Sequence, residues 1–276
     1  MTDAILNLDN YIERIKYTEG TGVSEDTLRD LHIAHTLNIP FENLDVYYRK
    51  PVLLDEASLF SKIVKNRRGG YCFEMNGLFS LVLQRLGFKV TNLLARGTID
   101  GINYNAKTHQ VLLVEINNRM WLADVGFGND GIIAPLILEE GRDQEQFAHT
   151  YRLLKDPEYG YVLQKKIAGK YVPMYAFTLN RCYPMDFIMS NHFTATFPES
   201  FFVKMRMCTK PTKEGRNTLT DMGFKIVANG DITEKIIEND DEFNTVLKKY
   251  FSLDLDLINV NQINSNDGRI KFPSNT

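Results

Sequence analysis

The apolar residues of this chain change period near residue 87, and that change limits what it can fold into: helices first, then strands, then a mix of helices and strands. In the first third, Leu8, Tyr11, Ile12 and Ile15 fall at i, i+3, i+4 and i+7, with Asn7 placed to cap. Ser24 can cap a second helix running through Leu28 and Leu31 towards His35, stopped by Pro40. Leu59, Phe60, Ile63 and Val64 mark a third, ended by Gly69-Gly70. Met75, Leu78, Phe79, Val82, Leu83 and Leu86 line a fourth, which begins near Cys72 and stops at Gly87.

Beyond residue 87 the pattern becomes that of strands. KVTNLLAR (89–96), HQVLLVEI (109–116) and RMWLADV (119–125) are β-branched and apolar runs separated by Gly- and Asn-rich turns. Further strands are expected at 151–154, 161–166 and 170–177, with Ala168-Gly169 as a hairpin turn, then a helix over 184–195 opened by Pro184. Strands return at 203–209 and 224–228, with Asn229-Gly230 as a turn. A last helix fits 240–251, where Asn239 and Glu242 have capping-box spacing. The Asn- and Ser-rich tail after Asn259 is expected to fray. No repeat, linker or composition break divides the chain, so the reading is an α+β protein packed as one body.

Composition then excludes several kinds of function. With 276 residues, 43% of them hydrophobic, the chain can bury a core without disulfide or metal staples. Thirty-two basic against 35 acidic residues leave a net charge of −3, which offers no basic excess for a nucleic acid. No apolar run approaches the ~18 residues of a membrane span, and Asp3 and Asp9 stand where a secretory signal carries Lys or Arg. Cys72, Cys182 and Cys208 are too few and scattered for a disulfide scaffold and lack the spacing of a zinc site. The expectation is a reduced, soluble, cytoplasmic protein with no metal and no tightly bound cofactor.

Of the cysteines, Cys72 has the setting of a nucleophile. In RRGGYCFEMNG, Gly69 and Gly70 let the chain turn sharply and place Cys72 at the first turn of a helix, where unpaired N–H groups and the dipole favour a thiolate and can hold an oxyanion. The bland alternative is a buried, inert thiol, which is how Cys182 and Cys208 are read. A thiolate needs a base, and there are five histidines. If Asn117-Asn118 is a two-residue turn, residue 116 faces 119, 111 faces 124 and 109 faces 126. His109 and Asp124 then lie on one face as diagonal neighbours, within reach of a hydrogen bond that fixes the imidazole tautomer. Against this, Asp124 could simply start the DVGFGND turn, and a register slip of one residue would part the two. His32 and His35 read as packing or surface residues, and His149 and His192 as exposed or satisfied ones.

These residues resemble a known family. RGGYCFEMN, with H-x14-D inside THQVLLVEI…WLADVGFG, is similar to the arylamine N-acetyltransferases, as are YIERIKY, LHIAHTLNIPFENLDV and PLIL at 135–138. The similarity covers most of the chain and is weakest after about residue 210. It implies a helical bundle (1–87) carrying the nucleophile, a β-barrel domain (88–200) carrying His and Asp, and an α/β lid (201–276), in a papain- and transglutaminase-like arrangement. It implies Cys72 as nucleophile, His109 as base and Asp124 as orienting group. An aromatic pocket carries over to Phe41, Phe127 and Phe202, with Phe201 adjoining the last. Glu42 and Arg68 look like the family's structural ion pair, although without the family a partly exposed salt bridge of small worth is nearly as good a reading.

The resemblance also implies acetyl-CoA as donor and aromatic amines or hydrazines as acceptors, in a ping-pong reaction through an acetyl-cysteine. Rival readings are a thiol hydrolase or transglutaminase-like enzyme using the same triad, an amide synthase closing a polyketide, and a binding module that kept the fold. The intact Cys-His-Asp set argues against the last. Nothing in the sequence selects an oligomeric state.

Overall fold

Side-chain caps start the first helices where the sequence puts them. In the computed structural model, which describes residues 6–98, 101–128, 130–255 and Ile258, Asn7 accepts the N–H of Asn10 to open α1 (Leu8–Ile15). Ser24 accepts that of Thr27 to open α2 (Glu25–Asn38). After a short strand, β1 (Phe41–Glu42), and one helical turn, α3 (Leu44–Tyr47), the third expected helix starts earlier than its apolar residues indicate. Asp55 caps α4 (Glu56–Leu59), and the chain continues as a π-helical segment over Phe60–Lys65. The fourth, α5 (Cys72–Arg85), ends at Gly87 with φ +93°. Tyr11, Ile15, Leu28, Leu31, Ile63 and Phe79 form the core of this helical third.

Eight antiparallel strands follow: β2 (Lys89–Gly97), β3 (His109–Ile116), β4 (Arg119–Ala123), β5 (Leu136–Ile137), β6 (Gln144–Gln146), β7 (His149–Asp156), β8 (Gly160–Ile167) and β9 (Lys170–Phe177). Their order is β5-β4-β3-β2-β9-β8-β7-β6. A bridge from Glu140, just past β5, to Leu153 in β7 brings the two edges together, so the sheet curls into a nearly closed barrel. Asn117 and Asn118 take φ of 50° and 60°, which sets the β3–β4 register at Ile116↔Arg119 and Leu112↔Ala123, as the two-residue turn requires. β3 is buried on both faces, which is why it reads as a continuous apolar run. Val111 and Leu113 point into the barrel with Leu93, Leu122 and Tyr175, whereas Leu112 and Val114 pack against the helices.

The C-terminal part departs most from expectation. Helix α6 (Pro184–Thr196) is present, but 203–209 is not one strand: Phe201–Lys204 forms a helical turn, α7, held by the Ser200 carbonyl, and β10 (Met207–Pro211) starts after it. Two strands beyond the expected ones, β11 (Gly215–Thr220) and β13 (Asp231–Ile236), flank β12 (Gly223–Ala228). Both are short of apolar residues, and β13 is exposed throughout, so hairpin pairing and not burial holds it. The sheet order is β1-β10-β11-β12-β13, so a strand from the helical third completes it. The last helix among the described residues is α8 (Asp240–Val246), followed by a π-helical segment, Leu247–Phe251. Asn239 caps it, but Glu242 accepts from Glu238 N–H, so only half of the expected capping box forms. The tail after Asn259 lies outside the described residues.

Candidate active site

The segment before Cys72 is pinned from three sides. Arg14 of α1 donates to the carbonyls of Asn38, Ile63, Arg67 and Arg68, and burial lowers its pKa to about 10. The left-handed residue of this segment is Arg67 (φ 52°), and neither Gly69 nor Gly70 has positive φ. The glycines therefore do not make the sharp turn expected of them. Gly69 is needed for close approach instead, because a Cβ there would stand 2.1 Å from the Pro40 carbonyl oxygen.

Glu74 accepts the Tyr71 N–H at the head of α5 and binds Lys62 at 2.7 Å. Lys62 also meets Asp45 at 2.7 Å, while Arg68 binds Glu42 at 2.7 Å and Asp45 at 2.9 Å. The Glu42–Arg68 pair is thus not a partly exposed bridge. Glu42 is fully buried, and the pair belongs to a five-residue network under the start of α5.

Cys72 is the first residue of α5 and is buried, with Sγ 3.7 Å from the carbonyl oxygen of Thr108, the residue before His109. His109 opens β3, Asp124 follows β4, and Nε2 meets Oδ2 at 2.7 Å, both side chains buried. Asp124 also starts the turn: its Oδ1 accepts the Gly126 N–H at 2.9 Å. Both sequence readings of this residue hold together. Burial opposes the charged form of His109, but the Asp124 carboxylate, its hydrogen bond and the neighbouring Cys72 outweigh it and raise the imidazole to about 10. Burial likewise opposes the Asp124 carboxylate, and His109 with the Asn76 and Gly126 hydrogen bonds lowers its pKa in spite of it.

Two residues of this site were not singled out from the sequence. Asn76, one turn after Cys72, donates to Asp124 Oδ1 and to the Gln110 carbonyl and accepts the Val125 N–H. Its i+4 spacing from Cys72 was the available signal. His32, read as a packing or surface residue, is fully buried and bonded on both ring nitrogens. Nε2 accepts the Asp124 N–H at 3.0 Å, and Nδ1 donates to the Ile133 carbonyl at 2.8 Å, a pairing only the neutral ring can make. Burial lowers its pKa to about 4. His149 is also lowered to about 4, by burial and by Lys165 and Arg216.

Aromatic rings surround this centre. Phe127 and Tyr175 each lie 5.1 Å from the His109 ring. Phe41 and Phe202 meet at 5.9 Å, and Phe202 lies edge-on to Tyr71 at 6.0 Å. Of the adjacent pair, Phe202 turns inward and Phe201 outward. Arg216, buried in β11, reaches across to the Gly128 carbonyl and ties the C-terminal sheet to the DVGFG loop. All three cysteines are free; Cys208 is buried and Cys182 half-buried. Among the described residues, no helix is long and apolar enough to cross a membrane.

The N-acetyltransferase family model matches residues 25–260. An arylamine N-acetyltransferase of Escherichia coli is 39% identical over 230 residues, 83% of this chain and 82% of its own length. Among solved structures, the arylamine N-acetyltransferase of Salmonella typhimurium superposes with a TM-score of 0.85 at 32% identity, covering 96% of this chain and 94% of that one. That of Mycobacterium marinum in complex with CoA superposes with a TM-score of 0.86 at 34% identity, covering 93% and 97%.

Proposed function

The chain belongs to the arylamine N-acetyltransferase family, and from that premise we propose that it transfers the acetyl group of acetyl-CoA to the nitrogen of an arylamine or arylhydrazine through an acetyl-Cys72 intermediate. The observation that carries this reading is the 2.7 Å His109–Asp124 bond beside a cysteine at the first turn of a helix. With Nε2 committed to Asp124, Nδ1 is the ring atom left to serve the sulfur.

The Cys72 thiolate attacks the thioester carbonyl. Backbone N–H groups of the first turn of α5 supply donors for the oxyanion. The carbon–sulfur bond to CoA breaks, and the leaving thiolate takes the proton of the His109 imidazolium. An aromatic amine is mostly neutral at pH 7 and attacks the acetyl carbon, His109 accepts its proton, and the Cys72 thiolate is expelled. Phe41, Phe127 and Phe202 offer faces for a planar acceptor and exclude water that would hydrolyse the intermediate. Glu42 and Arg68 act through the network that seats the start of α5.

Acetyl-CoA alone should release one equivalent of CoA per chain and then nearly stop, with a single acetyl group mapped to Cys72 by mass spectrometry. An aniline or hydrazine should discharge it, and initial-rate plots at several donor concentrations should run parallel. Steady CoA release without amine, at a rate near that of transfer, would point to a thiol hydrolase instead.

A further inference from the structure

Helix α6 turns its apolar side outward. Its inward face carries Phe187, Asn191 and Thr194, all buried, whereas Met185, Ile188, Met189 and Phe193 stand on the outer face at i, i+3, i+4 and i+8. The stripe continues through Tyr183 before the helix and through Phe197 and Phe201 after it, and these seven side chains are between 42% and 69% exposed. The rings of Phe193 and Phe197 stack at 4.8 Å, which makes one continuous surface. A helix on the surface of a monomer ordinarily shows the reverse pattern.

The size of the patch argues for an occupant. At roughly 200 Å² for each large side chain, the seven present on the order of 700 Å². That exceeds the ~300–600 Å² of the largest patch on a typical monomer and is near the ~800 Å² each partner gives to a standard interface.

Charge selects what the occupant is. Between residues 183 and 201 the only acidic or basic side chains, histidine aside, are Asp186 and Glu199, and Asp186 is spent on the Tyr183 N–H at the helix start. Arg181 stands at one end of the stripe, over the Tyr183 ring, and forms no ion pair among the described residues. Glu199 stands at the other end, paired among the described residues with exposed Lys204, a contact that rearranges at small cost. The midpoint between Arg181 and Glu199 in sequence falls beside Met189, within the stripe. Laying α6 antiparallel on its copy about a twofold axis there would bring the end of each stripe that carries Arg181 to the partner's end that carries Glu199.

We propose that the outer face of α6 is the self-complementary interface of a twofold homodimer of this chain. The interface ends on Phe201, which is edge-on to Phe202 at 5.7 Å, so it backs the aromatic wall beside Tyr71 and Cys72. The proposal does not depend on which reaction the site performs.

Sedimentation velocity of the full chain over about 1–100 µM should show a species of twice the 31.7 kDa chain mass. Met189→Asp or Phe193→Asp, each placing charge on an exposed side chain and leaving circular dichroism unchanged, should weaken dimerisation at least 100-fold. Arg181→Glu should weaken it about tenfold, and adding Glu199→Arg should restore it. A monomer throughout that range overturns the proposal, as does a dimer indifferent to Met189→Asp and Phe193→Asp. A chain ended at Ile258 that dimerises while the full chain stays monomeric also overturns it, by assigning the stripe to residues 259–276. Failure of the double charge reversal to restore association overturns the antiparallel arrangement.

Discussion

Asn76 Nδ2 donates to Asp124 Oδ1 at 2.8 Å, so the helix that carries Cys72 also grips the carboxylate bonded to His109. The same side chain holds the Gln110 carbonyl and the Val125 N–H, the residues directly after His109 and Asp124. One carboxamide therefore locks the helical third to both strands of the hairpin.

Replacing it by a shape mimic without polar atoms tests that lock. Asn76→Leu leaves three buried polar groups short of a partner, at about 1–3 kcal/mol each before relaxation. A loss of about 3 kcal/mol is expected, read as a drop in Tm of roughly 6–12 °C for a chain of this size. Thermal unfolding followed by circular dichroism measures it, and an unchanged Tm contradicts the clip.

Asp124→Asn keeps the shape but not the charge. An amide has a single acceptor arm, so with its oxygen kept towards Asn76 and Gly126 its NH2 faces His109 and holds the imidazole in the tautomer that accepts at Nε2 and carries its proton on Nδ1. Transfer should fall on the order of 10³–10⁴-fold by analogy with other triads. Iodoacetamide labelling of Cys72 should slow at neutral pH, and labelling at the wild-type rate counts against the assigned roles.

Gly126→Ala tests the closeness of loop and helix. A Cβ there would stand 2.8 Å from Asn76 Nδ2 and 2.9 Å from Cys72 Cα, so the loop must move away from α5. The Asn76–Val125 and Asn76–Asp124 bonds should weaken together, lowering kcat by about 10²-fold, as a misplacement near 1 Å does. Single-turnover acetylation of Cys72 reads this directly.

Stability should fall off on both sides of neutrality, for different histidines. His109, raised to about 10 in the fold against ~6.5 unfolded, contributes fully below about pH 6.5 and loses its contribution as pH rises through about 10. His32, lowered to about 4, has the opposite sign: its contribution is present above about pH 6.5 and is lost as pH falls through about 4. His149 and the lowered Asp124 add to this acid limb. In a pH series of Tm values, His32→Gln, which keeps an acceptor and a donor but cannot charge, should shift the acid limb to lower pH. The Cys72 acetylation rate should decline as pH passes about 10.

What the sequence determined by itself is what short-range rules decide. Asn7, Ser24 and Gly87 start or stop helices because caps act within one turn. The His109–Asp124 pairing was legible because Asn117 and Asn118 both tolerate positive φ, and a two-residue turn leaves a hairpin one register. β11 and β13 were not: β11 (GRNTLT) lies inside its sheet but has a single large apolar residue, and β13 is an exposed edge strand held by hairpin pairing, so neither carries much apolar signal of its own. Only the tertiary structure decided that α5 meets this hairpin through Asn76, that His32 accepts from a backbone N–H 92 residues away, and that β1 completes a sheet begun at Met207. Contacts at such separations are chosen by packing complementarity across the whole core, a property no local window of residues contains.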